Sequence, residues 1–308
     1  MHLSSLNPAS PEAASILDLW NVTMWICGSI MTIVTVALLY IVFRFRARSA
    51  AEPAQVAGNK RLEIAWTVVP LLLVLLLFVL SIRTTGAVFD HAQQIPDIIV
   101  TGHQWWWEIY YPAANAYAAN EVHIPVGRDI LVGVEAADVI HDFWTPQLGP
   151  KVDAIPGRRN LTWIRADQAD TYRGFCAEFC GNQHAWMQFR VVAQDAGAYN
   201  GWVARQAQPA APVSGKDDAA LGSVLFRRRT CVNCHNISGY SSQQQYAPDL
   251  THVASRKMLA GERLENTPKN LRDWLHDPNS IKPGCAMPNL KLSDEDLTQL
   301  TAYLETLK

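Results

Sequence analysis

Residues 176–187 read Cys-Ala-Glu-Phe-Cys-Gly-Asn-Gln-His-Ala-Trp-Met, which puts two thiols, an imidazole and a thioether into one short run. Sulfur and imidazole donors in that mixture suit copper. Cysteine and histidine at such spacing also suit zinc, and neighbouring cysteines in an oxidising compartment form a disulfide by default, so the run alone leaves three chemistries open. A second group, Cys231-Val-Asn-Cys234-His235, has the C-x-x-C-H spacing that attaches a c-type haem. Cys231 and Cys234 would supply the thioether links and His235 one axial ligand. A thioredoxin-like dithiol shares the C-x-x-C part, but no strand-helix-strand pattern surrounds it here and a dithiol has no need of His235. If the first group holds copper, the chain carries two electron-transfer centres.

Elements to position these groups can be read from patterning. The chain has 308 residues, 49% hydrophobic and 18% charged, with a formal net charge of −2, enough for two modest domains and an apolar segment besides. With no basic face or run to neutralise phosphates, nucleic acid is excluded as a partner. Leu19 to Phe43 and Ile64 to Ile82 are uncharged and of bilayer-crossing length. A cleaved signal peptide is disfavoured for the first, because Glu12 and Asp18 precede it and no Lys or Arg does. Between the spans lie Arg44, Arg46, Arg48, Lys60 and Arg61 against Glu52 and, at the edge of the second span, Glu63, which sets this loop in the cytoplasm and both termini outside. Pro70 inside the second span predicts packing against other membrane helices.

After Ile82 short apolar runs alternate with Pro and Gly, as in Ile98-Ile-Val-Thr, Asp129-Ile-Leu-Val-Gly-Val-Glu, Asn160-Leu-Thr-Trp-Ile-Arg and Gln188-Phe-Arg-Val-Val. They predict an antiparallel sandwich or barrel. The Ala, Pro, Gln and Ser of residues 206–214 form a semi-rigid tether by composition. Thr267-Pro268 starts a helix with Leu271, Trp274 and Leu275 on one face. Ser293 and Asp296 form a capping box ahead of Leu297, Leu300 and Leu304. The resulting plan is multi-domain: an N-terminal segment and two-helix transmembrane hairpin at 1–95 (spans about 19–43 and 64–82), a β-sandwich at 96–205, a linker at 206–216 and an all-α domain at 217–308.

In chain order, the hairpin, Gly102-His-Gln-Trp-Trp-Trp-Glu, the His141-Asp-Phe-Trp-Thr-Pro segment and Gly174-Phe-Cys-Ala-Glu-Phe-Cys-Gly-Asn-Gln-His-Ala-Trp-Met resemble subunit II of the cytochrome c oxidases. With the C-terminal haem motif, the chain resembles the caa-type bacterial oxidases, in which a cytochrome c domain is fused behind subunit II. The resemblance implies a cupredoxin-like sandwich holding a dinuclear copper A centre. Cys176 and Cys180 would bridge the ions, His141 and His184 would each bind one, and Met187 and the Glu178 carbonyl would be weaker ligands. The Glu178 side chain resembles a magnesium ligand at the contact with subunit I, where a solvated loop carboxylate is the plainer reading. Trp105 resembles the residue at which an electron arrives from cytochrome c, although Trp105 to Trp107 equally suit a core or an interface. Glu63 in Glu63-Ile-Ala-Trp66 resembles the glutamate that passes protons into a channel of subunit I, whereas a helix N-terminus favours a carboxylate without any such role.

The sixth iron ligand is sought among Met258, Met287 and His252, and Met287-Pro288 resembles the axial Met-Pro of cytochromes c. Thioether ligation raises the haem potential, as suits a carrier feeding an oxidase. The partners so implied are subunit I with its haem a and copper B site, subunit III and other membrane subunits. The donor would be a cytochrome c or a quinol-cytochrome c reductase complex, and the location the bacterial plasma membrane with both redox domains on its outer side. A nitric oxide reductase relative and a membrane-tethered carrier outside any oxidase are the rival readings; a quinol oxidase is disfavoured because the copper ligands are retained. Cys27 reads as an inert membrane thiol, Cys285 departs from the cytochrome pattern without an assignable role, and His91, His103, His123 and His276 read as structural.

Overall fold

The computed structural model describes residues 4–46, 57–89, 95–239 and 246–308, so Arg48, Glu52 and His91 lie outside the described residues. Helix α1 (Pro11–Arg44) opens with Pro at its first position and with Ser10 accepting the Ala13 N–H at 3.0 Å. Helix α2 (Lys60–Phe89) is capped by Asn59, which accepts the Arg61 N–H at 3.0 Å, and contains Pro70. Both overrun the uncharged windows because caps, not hydropathy, end a helix. Each is long and apolar enough to cross a bilayer, with apolar side chains exposed along its length.

Ten strands form the sandwich: β1 (Ile98–His103), β2 (Trp106–Tyr111), β3 (Ala116–Ala119), β4 (Glu121–Pro125), β5 (Ile130–Ala136), β6 (His141–Trp144), β7 (Val152–Ala154), β8 (Asn160–Ile164), β9 (Thr171–Cys176) and β10 (Gln188–Gln194). One sheet runs β3-β2-β1-β5-β8 and the other β4-β10-β9-β6-β7. The expected antiparallel arrangement is corrected here: β1 pairs with β5 and β4 with β10 in parallel. Sequence alternation sets which face each strand buries, but not which strand lies beside it. The core between the sheets contains Ile98, Trp107, Ile124, Phe143, Phe189 and Val191. Trp107 meets Phe143 and Phe189 edge to face at 5.6 and 5.7 Å.

Helix α3 (Ala196–Gln206) follows the sandwich, capped by Asp195, and seats Trp202 on Tyr111 and His123. The sequence reading gave no helix there. The segment after it also differs from a free tether. Ala210 is buried against the C-terminal core with Val213 beside it, and the Ala210 N–H donates to the Ser238 carbonyl at 3.2 Å. Composition reports that such a segment builds no core of its own; it does not forbid laying small apolar residues on a neighbour's.

The C-terminal domain contains α4 (Asp218–Arg228), the ribbon β11 (Met258–Leu259) with β12 (Leu264–Glu265), α5 (Pro268–His276), α6 (Pro278–Ile281) and α7 (Asp294–Thr306). The Thr267 cap and the Ser293–Asp296 capping box are both present. Helices α4 and α7 cross at Gly222, where any Cβ would collide with the Gln299 carbonyl, and Leu297, Leu300 and Leu304 are buried. The domain is helical apart from the ribbon, an exception to the all-α expectation. Two residues per strand are too few to show an alternation.

Candidate functional site

Strand β6 begins with His141 and β9 ends with Cys176, and Phe143 on β6 lies opposite Cys176 on β9. The turn from 177 to 187 then brings Cys180, His184 and Met187 back over the same point. The Cys176 and Cys180 sulfurs are 3.7 Å apart as free thiols. Cys176 Sγ lies 3.9 Å from His141 Nδ1 and 3.1 Å from the Glu178 carbonyl oxygen. Cys180 Sγ lies 3.7 Å from His184 Nδ1 and 3.8 Å from Met187 Sδ. His141, Cys176, Cys180 and Met187 are buried, and the Cys176, Cys180 and His141 donor atoms form a metal-sized group. Gly102 permits this packing, since a Cβ there would meet the His141 ring at 2.7 Å.

The electrostatics match the geometry. The Cys180 thiol, working against desolvation and joined by His141, pulls Cys176 down to about 4, while Cys180 is pushed up in turn. Burial opposes a charge on His141, yet Cys176 and Asp138 hold its pKa above the usual value. Two unlinked thiols between two imidazoles, with a thioether and a carbonyl behind them, fit a thiolate-bridged copper pair.

Several residues here were not found in the sequence. Asp138 Oδ1 lies 2.8 Å from His141 Nε2 and fixes the ring so that Nδ1 faces Cys176. The same carboxylate accepts the N–H groups of Gln104 and Val139. Gln104 Nε2 and Trp105 Nε1 both donate to the Cys180 carbonyl, at 2.8 and 2.9 Å. Asp138 stands only three residues before His141, whereas the contacts of Gln104 and Trp105 to Cys180 span 76 and 75 positions, which no local spacing could announce. The Glu178 carboxylate is exposed and, among the described residues, outside the metal-sized group.

Cys231, Cys234 and His235 line a cavity of about 440 Å³ with Met258, Met287 and Pro288. Leu250, Val253, Leu271 and Leu304 make its walls apolar, and Gln104, Trp105, Trp106 and Gln183 of the sandwich reach its lining. His235 Nδ1 lies 2.8 Å from the Pro248 carbonyl, which orients the ring. Arg256 also faces the cavity; one of its terminal nitrogens donates to the Asp249 carbonyl, whereas its Nε has no partner among the described residues. A half-buried guanidinium whose buried Nε has donor capacity left over suits the carboxylates of a haem, so the cavity fits that group. His252 is engaged elsewhere, with its ring nitrogens 2.7 and 3.0 Å from the Lys308 and Gln208 carbonyls. Met258 and Met287 both reach the cavity.

Glu63 lies in the first turn of α2, exposed, with its N–H bonded to the Asn59 carbonyl at 3.0 Å. His103 stacks on Trp106 at 4.3 Å, and burial pushes its pKa down to about 4. His123 stacks on Trp202 and lies 3.0 Å from Gln194 Oε1, while His276 ends α5. Cys285 lines the cavity with its sulfur 3.5 Å from the Met287 carbonyl.

Family profiles match three successive stretches: the transmembrane domain of cytochrome c oxidase subunit II over residues 2–84, its periplasmic domain over 116–194, and cytochrome c over 219–308. Cytochrome c oxidase subunit 2 of Alkalihalophilus pseudofirmus is 36% identical to the chain over 321 aligned positions, which cover 100% of this chain and 91% of the relative. The chain belongs to the cytochrome c oxidase subunit II family. Cytochrome c oxidase subunit 2 of Bacillus subtilis is 32% identical, covering 99% of this chain and 92% of its own length. The periplasmic domain of subunit II from Bradyrhizobium japonicum is 34% identical, with a TM-score of 0.36, over 37% of this chain and 95% of that one. As a subunit II with a cytochrome c domain fused behind it, the chain is a membrane protein that works with other oxidase subunits in electron transfer. The cytochrome c domain points to haem and the subunit II domain to copper A.

Proposed function

We propose that this chain feeds electrons to the oxygen-reducing subunit of a caa-type terminal oxidase. Cys231 and Cys234 would hold a covalent haem c with His235 and Met287 as axial ligands. Cys176 and Cys180 would bridge a copper pair completed by His141, His184, Met187 and the Glu178 carbonyl. When bound, both groups supply reversible one-electron chemistry. The protein's part is to fix ligand geometry, keep water out and hold the centres close together.

Trp105 carries this reading, because its indole donates to the Cys180 carbonyl at 2.9 Å while the same residue lines the cavity of Cys231, Cys234 and Met287. In this arrangement Trp105 would be the residue placed to pass an electron from a haem held in that cavity to the copper site. Electrons would pass on to the haem a and copper B site of subunit I, where oxygen is reduced to water with proton pumping, and Glu63 would help protons into that subunit. Subunit III and further membrane subunits would complete the complex in a bacterial plasma membrane, with both redox domains outside and a cytochrome c or a quinol-cytochrome c reductase as donor. For magnesium, the exposed Glu178 carboxylate offers a single ligand from this chain.

Metal and haem analysis of the detergent-solubilised complex tests the reading. A mixed-valence copper signal, a covalent haem and cyanide-sensitive oxygen uptake are expected. Copper and haem in a preparation lacking a large partner subunit and oxygen uptake would favour the tethered carrier, and nitric oxide turnover the reductase relative.

A further inference from the structure

Lys282 and Gln183 are 5% and 1% exposed, unusually deep for such side chains. Each reaches from one domain to the other. The Lys282 ammonium, in the cytochrome c domain, donates to the Trp105 carbonyl of the sandwich at 2.8 Å. Gln183 Nε2, one residue before His184, donates to the Lys282 and Pro283 carbonyls at 3.1 and 2.9 Å. Three hydrogen bonds thus join the turn that carries His184 and the strand connection that carries Trp105 to the loop that leads into Met287.

The rest of this face is polar, with one ion pair buried in it. Arg190 on β10 forms a two-pronged ion pair with Glu262 in the ribbon turn, with side chains 10% and 2% exposed. Glu121 accepts the Lys257 and Met258 N–H groups at 2.7 and 3.3 Å. Arg263 lies over the Trp186 ring at 5.1 Å. The chain between the domains has little slack: Gln206 donates to the Tyr117 carbonyl of the sandwich, while the Gln208 carbonyl is held by His252 of the cytochrome c domain. A domain that swings out to collect electrons needs a loose leash and few directional bonds to its neighbour. Here separation would break the Lys282, Gln183 and Glu121 hydrogen bonds and the Arg190–Glu262 pair together.

Resting on the function proposed above, we infer that the cytochrome c domain is a fixed donor, locked on the copper domain, and that Lys282 is the positioning residue of the lock, holding Trp105 and the Met287 loop in one register. In the step it would serve, one electron would pass from a haem held by His235 and Met287 to copper held by Cys176 and Cys180, with no bond made or broken and no proton moved by Lys282.

The test uses the assembled complex carrying Lys282→Met, Lys282→Arg or the wild-type residue, and reads three quantities: the copper and haem spectra, the rate of copper reduction after photoreduction of the haem, and hydrogen exchange at the Lys257 and Met258 amides. Loss of a buried charged hydrogen bond corresponds to a rate drop of about tenfold or more for Lys282→Met, with faster amide exchange, unchanged spectra and recovery in Lys282→Arg. A Lys282→Met rate and exchange within about twofold of wild type overturn the lock. Should Lys282→Met fold poorly, Gln183→Leu read the same way decides. Wild-type complex without copper or haem signals would instead overturn the underlying function, a result distinguishable because it appears before any substitution.

Discussion

The indole nitrogen of Trp105 lies 2.9 Å from the carbonyl oxygen of Cys180, beside the Gln104 amide that bonds the same atom from 2.8 Å. The two donors differ in consequence, since only Trp105 also brings an aromatic ring to the cavity lined by Cys231, Cys234 and His235. Trp105→Phe removes one donor and leaves the carbonyl satisfied by Gln104. Copper content and the copper spectrum are expected to persist while haem-to-copper transfer slows, measured by flash reduction of the haem. Equal transfer rates in both proteins would exclude Trp105 from the route.

In the proposed copper centre Asp138 would act on the metal without touching it. Asp138→Asn weakens its hold on the His141 ring and on the Gln104 and Val139 amides. Losing the partner that orients a metal-binding histidine costs about 10- to 100-fold in metal affinity. Competition with a copper chelator should show that fall, with the covalent haem unaffected.

These partners mark the limit of what the sequence disclosed. Cys176, Cys180, His184 and Met187 sit on one turn, so their spacing alone encodes their convergence, and the C-x-x-C-H group is equally local. Asp138 stands three residues before His141, but that spacing by itself does not distinguish an orienting carboxylate from a solvated one, and Gln183 meets Lys282 across 99 positions of chain. Parallel pairing of β1 with β5 was hidden for the same reason, because alternation fixes a strand's faces and not its neighbours. The short ribbon at 258–265 left no periodic trace, yet its turn carries Glu262.

The Arg190–Glu262 pair is buried enough for its halves to be unequal to the whole. Removing one partner strands the other, at a cost of about 3–5 kcal/mol, whereas replacing both by apolar groups of similar size is close to neutral. Glu262→Gln should therefore lower the unfolding midpoint of the solubilised chain more than the double variant Arg190→Met with Glu262→Leu. A thermal melt of the single and double variants measures this coupling, and additive losses would refute it.

Glu108 on β2 gives the interface a pH response. Burial first, then Asp249 of the cytochrome c domain and Glu135, raise its pKa from 4.5 to about 7. Between those values the folded chain holds a proton that the unfolded chain has released, so this residue's contribution to stability falls as pH rises through the window. Glu108→Gln should remove that slope. Unfolding midpoints of wild type and variant, compared across this range, should diverge as pH rises, with the variant the more stable at neutral pH; parallel curves would contradict the assignment.

Ala207 alone separates a residue anchored to the sandwich from one anchored to the cytochrome c domain. A residue spans at most about 3.6 Å, so while those anchors hold, the two domains never meet as independent bodies. The step between them is unimolecular, indifferent to protein concentration and to the ionic strength that governs encounters between separate charged proteins. Salt would then act on this respiratory chain one stage earlier, where the outside donor meets the cytochrome c domain.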